Sequence, residues 1–374
     1  MTSKIAKINA YIVEVPLKDE WKISLYAAKT RRHAVLEVIT EDGVRGFGEA
    51  SPSPAFMGET ADTVKLVTDL YLAPAVVGLP VSALSLIHER MNQAIYGNSA
   101  AKSALDIAVH DAWGKTVKQP VYELVGGLYR KKVPLTYVVG MKNTKNAYDE
   151  AMKRIDEGFN VIKIKVGQDP KRDVELVNLI RKAVDDSGKD VKIRLDANQG
   201  YDVPTAIRVI RELEEDGELE SVEQPVRKWN VFGLKEICEK VKTPLMIDET
   251  VFGLEDVTNA IKLGIADIIN LKICKVGGIH QAKKIAGMAE AAGMTCTIGS
   301  NLELGLGIAA SAHVAVSTPV VNKPSDFICG IYLHDHDILQ PSVIEFVEDG
   351  QMKLLSGTGL GVHVDEEILQ KSSR

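Results

Sequence analysis

Two lysines two residues apart, Lys163 and Lys165, open a series that continues with Asp196, Glu223, Asp248 and Lys272. Three carboxylates without histidine or cysteine make a hard oxygen donor set, suited to Mg²⁺ or Mn²⁺ rather than to zinc. A cation held by them would act as a Lewis acid on a substrate carboxylate while its α-proton leaves. Any one of the three, taken alone, reads more simply as a helix cap or a partner for a surface lysine; three in register do not. The lysines bring the proton chemistry. Residues two apart on a strand share a face, so the ammonium groups of Lys163 and Lys165 repel, and one of them should give up its proton more readily and serve as base. A lone KxK is usually a solvated strand face, but Ile162, Ile164 and Val166 fill the other side, which leaves the lysines an interior position.

The spacing says what must position these groups. Lys165 to Asp196 is 31 residues, Asp196 to Glu223 is 27, Glu223 to Asp248 is 25 and Asp248 to Lys272 is 24, each a strand-plus-helix period. Each residue closes an apolar run: 161–165, 191–196, 219–223, 244–248 and 266–272. Further strands are expected at 133–140, 294–299 and about 326–332, which makes eight. Such an array can close as a barrel or lie open as a doubly wound sheet. The residues decide for a barrel, because catalytic groups gather at the carboxyl ends of its strands and strands two and six then face each other across the pocket.

Ahead of this array the pattern is α+β. Residues 5–15 and 32–50 read as strands, with a turn at Glu41-Asp42-Gly43, and 59–118 reads as helical; Ala101, Leu105, Ala108 and Trp113 recur at helical spacing before Pro120 ends the run. After about residue 340 a strand-like stretch (343–354) and 357–364 follow, a segment expected to return to the beginning of the chain. The division is therefore 1–130, 131–340 and 341–374.

A chain of 374 residues, 45% hydrophobic, buries ample core without crosslinks. Its net charge of -6 offers no basic surface to nucleic acid. The stretch 8–15 is broken by Glu14 and followed by Lys18, Asp19 and Glu20, unlike a signal peptide, and no window approaches a membrane helix, so the cytoplasm is expected. Cys238, Cys274, Cys296 and Cys329 lack CxxC spacing and read as reduced thiols. The expected partners are a small carboxylate substrate and further copies of the chain, not nucleic acid or membrane.

The set KxK, Asp196 with Asn198, Glu223-Gln-Pro225, Asp248-Glu249, and Lys272 ahead of Gly277-Gly278 resembles the enolase superfamily, and within it the muconate-lactonizing-enzyme subgroup (the mandelate racemase/muconate lactonizing enzyme family). The likeness extends to Gly46-Phe-Gly-Glu-Ala50, to 104–113 and to 357–364. The resemblance implies an α/β fold, a (β/α)₇β modified TIM barrel under an α+β capping domain. Asp196, Glu223 and Asp248 would hold Mg²⁺, with Mn²⁺ as the alternative ion, and Lys165 and Lys272 would be acid and base, with Lys163 lowering the pKa of Lys165. A lysine or histidine base working beside Mg²⁺ that stabilises an enediolate is the chemistry this superfamily implies. A histidine at the end of strand seven would mark a mandelate-racemase-like member, but 297–301 reads TIGSN, so the pair is lysine and lysine.

The reaction expected is racemisation or epimerisation of a carboxylate substrate, an amino-acid derivative or dipeptide-like molecule, through a metal-stabilised enediolate; the alternative is a muconate-type cycloisomerase or syn-dehydratase using the same intermediate. Dipeptide epimerases carry Asp-x-Asp on strand eight and muconate cycloisomerases a glutamate, whereas the aligned stretch here is Phe327-Ile-Cys-Gly330, with Asp326 one position early. Phe327 and Cys329 suggest a less polar substrate tail, joined by Trp21, Tyr26 and Phe56 from the capping loops, with Asn198, Asn301 and Glu303 also facing substrate. Three other patterns carry less. A Schiff-base reading of Lys272 leaves the carboxylates unexplained. Gly305-x-Gly307-x-x-Ala310 looks like a dinucleotide fingerprint but is better explained by close helix packing. His334-Asp-His-Asp337 reads as a polar surface turn.

Overall fold

The computed structural model describes residues 3–140 and 144–372. An antiparallel meander opens the chain: β1 (Ile5–Lys22), β2 (Ala27–Thr40) and β3 (Arg45–Ala50) pair in that order. The expected turn at 41–43 lies between β2 and β3, while β1 runs on to Lys22, farther than its apolar stretch suggested. Helices Ala61–Val67, Leu84–Ala94 and Ser99–Val117 cover one face, burying Ala101, Ala104, Leu105 and Ala108. Gly48 allows that approach, since a Cβ there would lie 2.2 Å from the carbonyl oxygen of Ala104.

After β4 (Lys132–Pro134) comes a parallel sheet of seven strands in sequence order: β5 (Tyr137–Val139), β6 (Val161–Lys165), β7 (Lys192–Asp196), β8 (Ser221–Glu223), β9 (Leu245–Ile247), β10 (Ile268–Leu271) and β11 (Thr295–Ile298). The helices between them are amphipathic: Val203–Glu215, capped by the Asp202 carboxylate accepting from Thr205 N, buries Ala206, Val209, Ile210 and Leu213. The fold is the modified TIM barrel under an α+β cap.

The expected eighth strand at 326–332 is corrected. Cys329–Leu333 is a short helix, and the eighth place in the ring is taken by the irregular stretch before it. Cys296 N donates to Val320 O and Asp326 N to Ile298 O on one side; Ser325 N donates to Pro134 O and receives Thr136 N at its carbonyl on the other, all at 2.9–3.0 Å. Pro324, which has no N–H to give a ladder, keeps this closure from becoming a regular strand.

The last residues run back beneath the cap. Val121 N donates to Gly359 O at 2.8 Å, and Leu360 N to the Asp111 carboxylate at 2.9 Å. His334 and Asp337 are not part of a surface turn: His334 is buried against His33, and Asp337 accepts from Gly305 N at 2.9 Å. Gly307 N donates to Glu49, so the glycine pattern serves the seam between cap and barrel. All four cysteines are free, and among the described residues no helix is long and apolar enough to cross a membrane.

Candidate active site

Strand register puts the chemistry at one level. Lys165 lies opposite Asp196, and Asp196 opposite Glu223, on neighbouring parallel strands. Glu223 is opposite Met246, so Asp248 stands two residues higher on the same interior face. Lys272 follows β10, four places round the ring from β6, so Lys165 and Lys272 rise from facing walls and both line the pocket at the barrel mouth.

The side chains form a dense ionic lattice. Lys165 Nζ is 2.5 Å from Asp196 Oδ2 and donates to Asn198 Oδ1 at 2.9 Å. Lys163 Nζ sits 3.0 Å from Asp196, 2.7 Å from Glu223 and 2.8 Å from Asp326. On the far wall Lys272 is 2.7 Å and Lys275 3.0 Å from Asp248. Asp196, Glu223 and Asp248 are fully buried.

Burial works against charge on Asp196, yet the ammonium groups of Lys163 and Lys165 overcome it and hold this carboxyl below the usual carboxylate range. Asp248 is treated alike by Lys272 and Lys275 and is held down to about 2 against its burial. Glu223 goes the other way, to about 7, through burial and the neighbouring Asp196 charge. Burial also opposes the charge of Lys163, but Asp196, Asp326 and Glu223 outweigh it, so its proton is held well above the ordinary lysine range. Lys163 is thus held as a cation among these acids.

Among the described residues, no three Asp, Glu, His or Cys side chains close on one point as a finished cation cage; the carboxylates turn to the ammonium groups instead. The donor set nonetheless fits a hard divalent ion. Its members occupy adjacent strand ends, and Glu223 Oε2 and both Asp248 carboxylate oxygens accept no hydrogen bond, the lysine contacts being ion pairs without hydrogen-bond alignment. Buried carboxylate oxygens in that condition are what Mg²⁺ satisfies.

Of the expected substrate-facing residues, Trp21, Tyr26, Phe56, Asn198, Asn301 and Cys329 line the pocket with the three lysines. Phe56 also lies under Lys272, whose Nζ is 5.5 Å from the ring centroid. Two others stand back from the pocket. Phe327 is wholly buried in the barrel core, because the closing stretch turns it inward. Glu303 spends Oε2 on Ser300 Oγ and Asn301 N, at 2.7 and 2.8 Å, which ties its own loop rather than facing the cavity.

Other participants were not foreseen. Asn270 Nδ2 donates to Glu223 Oε1 at 2.7 Å. Gln224 Oε1 receives Asp248 N and Thr250 N at 3.0 and 3.2 Å, binding the end of β8 to that of β9. Lys275 flanks Asp248, and Asp326 lines the pocket beside Lys163. The Glu-Gln-Pro motif and the second lysine of 272–275 were the available signals, but neither names its neighbour.

Comparison with known proteins supplies the remaining context. The family model for the mandelate racemase / muconate lactonizing enzyme N-terminal domain matches residues 7–126, and the one for the enolase C-terminal domain-like unit matches 146–368. An L-Ala-D/L-Glu epimerase of Clostridium acetobutylicum is 34% identical over 312 residues, 83% of this chain and 86% of its own. The muconate lactonizing enzyme of Pseudomonas fluorescens, solved with muconolactone, superposes with a TM-score of 0.94 at 31% identity over 100% of both chains. A dipeptide epimerase of Enterococcus faecalis, solved with Mg and L-Leu-L-Tyr, gives a TM-score of 0.89 at 32% identity over 97% of this chain and 99% of that one.

Proposed function

The chain belongs to the enolase superfamily, in its muconate-lactonizing-enzyme subgroup, and is an isomerase; from that premise we propose that it racemises or epimerises a small carboxylate by 1,1-proton transfer, with Lys165 and Lys272 as the acid–base pair. The observation that carries this reading is the placement of these two amines on facing walls, with Asp196, Glu223 and Asp248 buried between them.

Each lysine would address one face of the α-carbon, removing the proton there or returning one from the opposite side. Asp196, Glu223 and Asp248 would hold Mg²⁺, which supplies Lewis-acid stabilisation of the charge that builds on the substrate carboxylate. Lys163 contributes a fixed positive charge beside Lys165 and Asp196. Asn198 accepts a hydrogen bond from Lys165 and donates to Glu249 at 3.2 Å, so it orients the β6 base. Trp21, Tyr26 and Phe56 bring apolar surface over the mouth and exclude water from it.

The likeness to muconate lactonizing enzymes over the full length favours a second reading, in which ring closure onto a double bond gives the same enediolate, or that enediolate expels a leaving group. Incubating N-acylated amino acids, dipeptides, betaines and hydroxy acids in D₂O with Mg²⁺ separates the two. Racemisation incorporates solvent deuterium at the α-carbon and creates no alkene. A new ultraviolet chromophore or a cyclised product with no α-exchange would sink the first reading. The four free thiols suit a reducing compartment, and we place the enzyme in the cytoplasm; recovery from a secreted fraction would contradict that.

A further inference from the structure

A second, smaller cavity opens beside the reaction pocket and shares three of its walls: Trp21, Val138 and Cys329. Its remaining surface comes chiefly from Ile328, Tyr332 and Leu333. It lies between β5 and the short helix Cys329–Leu333, on the side of the ring away from β8 and β9, where Glu223 and Asp248 stand. A substrate whose carboxylate meets the cation those residues would hold therefore points its other end here.

The lining of this cavity is uncharged and largely apolar. Thr136 turns its hydroxyl to Pro324 O at 3.0 Å, and the Tyr137 hydroxyl donates to Glu150 at 2.9 Å, so two of the three hydroxyl-bearing side chains that line it are already engaged, Tyr332 being the third. Burial pushes the Cys329 thiol up to about 12, which keeps it neutral. The cation behind the wall, Arg154, is stacked on the Tyr137 and Tyr332 rings at 4.3 and 5.1 Å and paired with Glu157 at 2.6 Å. Trp21 reaches over Gly140 and joins Leu17, Ile23, Val138 and Leu302 in an apolar cluster that spans cap and barrel.

We infer that this cavity is the subsite for the end of the substrate remote from the carboxylate, and that it takes a small uncharged aliphatic or thioether group. The inference rests on the proton-transfer reading only for which end is which. Among the described residues a charged tail finds no counter-charge on these walls, and it would lose its hydration without compensation. An apolar tail gains with every methylene it buries. The residues that set this choice are Leu333 and Cys329, on the helix that stands where strand eight was expected.

The test is a panel of dipeptides with alanine at one position and alanine, valine, leucine, methionine, glutamate or lysine at the other, in both orders. Binding is measured by calorimetry with Mg²⁺ present, and α-proton exchange by mass spectrometry in D₂O. At one of the two positions, affinity should rise roughly three- to tenfold per added methylene and fall about a hundredfold for glutamate or lysine. Leu333→Lys, at a half-buried position, should cancel the penalty for glutamate while leaving lysine excluded. Equal binding of apolar and charged members at both positions, or no binding by any member, overturns the subsite. Apolar-selective binding without exchange keeps the subsite and removes the proton-transfer reading; exchange without selectivity does the reverse.

Discussion

Asn270 shows how much of this site depends on residues that do no chemistry. It is fully buried on β10, and its amide fixes one oxygen of Glu223, leaving the other to face Lys163. Asn270→Leu should lower Mg²⁺ affinity about 10- to 100-fold, as loss of a ligand's orienting partner does elsewhere, and destabilise the fold by about 1–3 kcal/mol. Magnesium titration by calorimetry and thermal melting check both, and an unchanged Mg²⁺ affinity would remove Asn270 from this role. Lys275 acts on Asp248 as an ion pair at 3.0 Å, and Lys275→Met should cut turnover about tenfold or more in steady-state kinetics. The carboxylates and lysines could be read from the sequence because each ends an apolar run at a regular interval. Asn270, Gln224 and Lys275 could not, since their meaning lies in which atom they meet across the ring, 47 residues away for Asn270 and 24 for Gln224.

At the level of elements, the site is built by loops pressed together at the strand ends. Asn198, Gln199 and Gln224 all have positive φ, backbone that side chains adopt at a cost and that functional sites retain. Gly200 meets the loop after β6 so closely that a Cβ would lie 2.2 Å from Gly167 O. Gly200→Ala should therefore displace Asn198, lowering kcat about tenfold with a loss of roughly 2–4 kcal/mol in stability, measured by steady-state kinetics and urea unfolding. A variant as stable and active as the parent would show the contact to be dispensable. Strand-plus-helix periodicity revealed seven of the eight ring positions. It failed at the last because Phe327-Ile-Cys is a short apolar run, which periodicity cannot assign to strand or helix. The pairing there is carried by an irregular stretch with a proline in it.

For the whole molecule, the seam between cap and barrel holds a cluster of buried acids. Glu49 on β3 accepts from Leu304 N and Gly307 N at 2.8 and 2.9 Å and lies 2.9 Å from His33. Burial raises Glu49 from 4.5 to about 7, and raises Glu303 likewise to about 7. Between about pH 4.5 and 7 the folded protein then keeps a proton that the unfolded chain has released, so stability falls as pH rises through that window, by up to about 1.4 kcal/mol per pH unit for each acid. Glu49→Gln should flatten that slope in melting curves taken from pH 4.5 to 7; an identical slope would mean Glu49 is ionised throughout. The barrel under an α+β cap was legible in the sequence from motif order. This seam was not, because it joins residues more than 250 positions apart.

The facing amines are tested most directly by following α-hydrogen exchange of each enantiomer of an active substrate in D₂O with Mg²⁺, for Lys165→Met and Lys272→Met. Both variants should lose racemisation by about a thousandfold or more. Each should still exchange the α-proton of one enantiomer, the opposite one in the two cases, because the surviving lysine can remove and return a proton on its own face. Exchange of both enantiomers by either variant, or of the same enantiomer by both, would contradict a base on each side of the α-carbon.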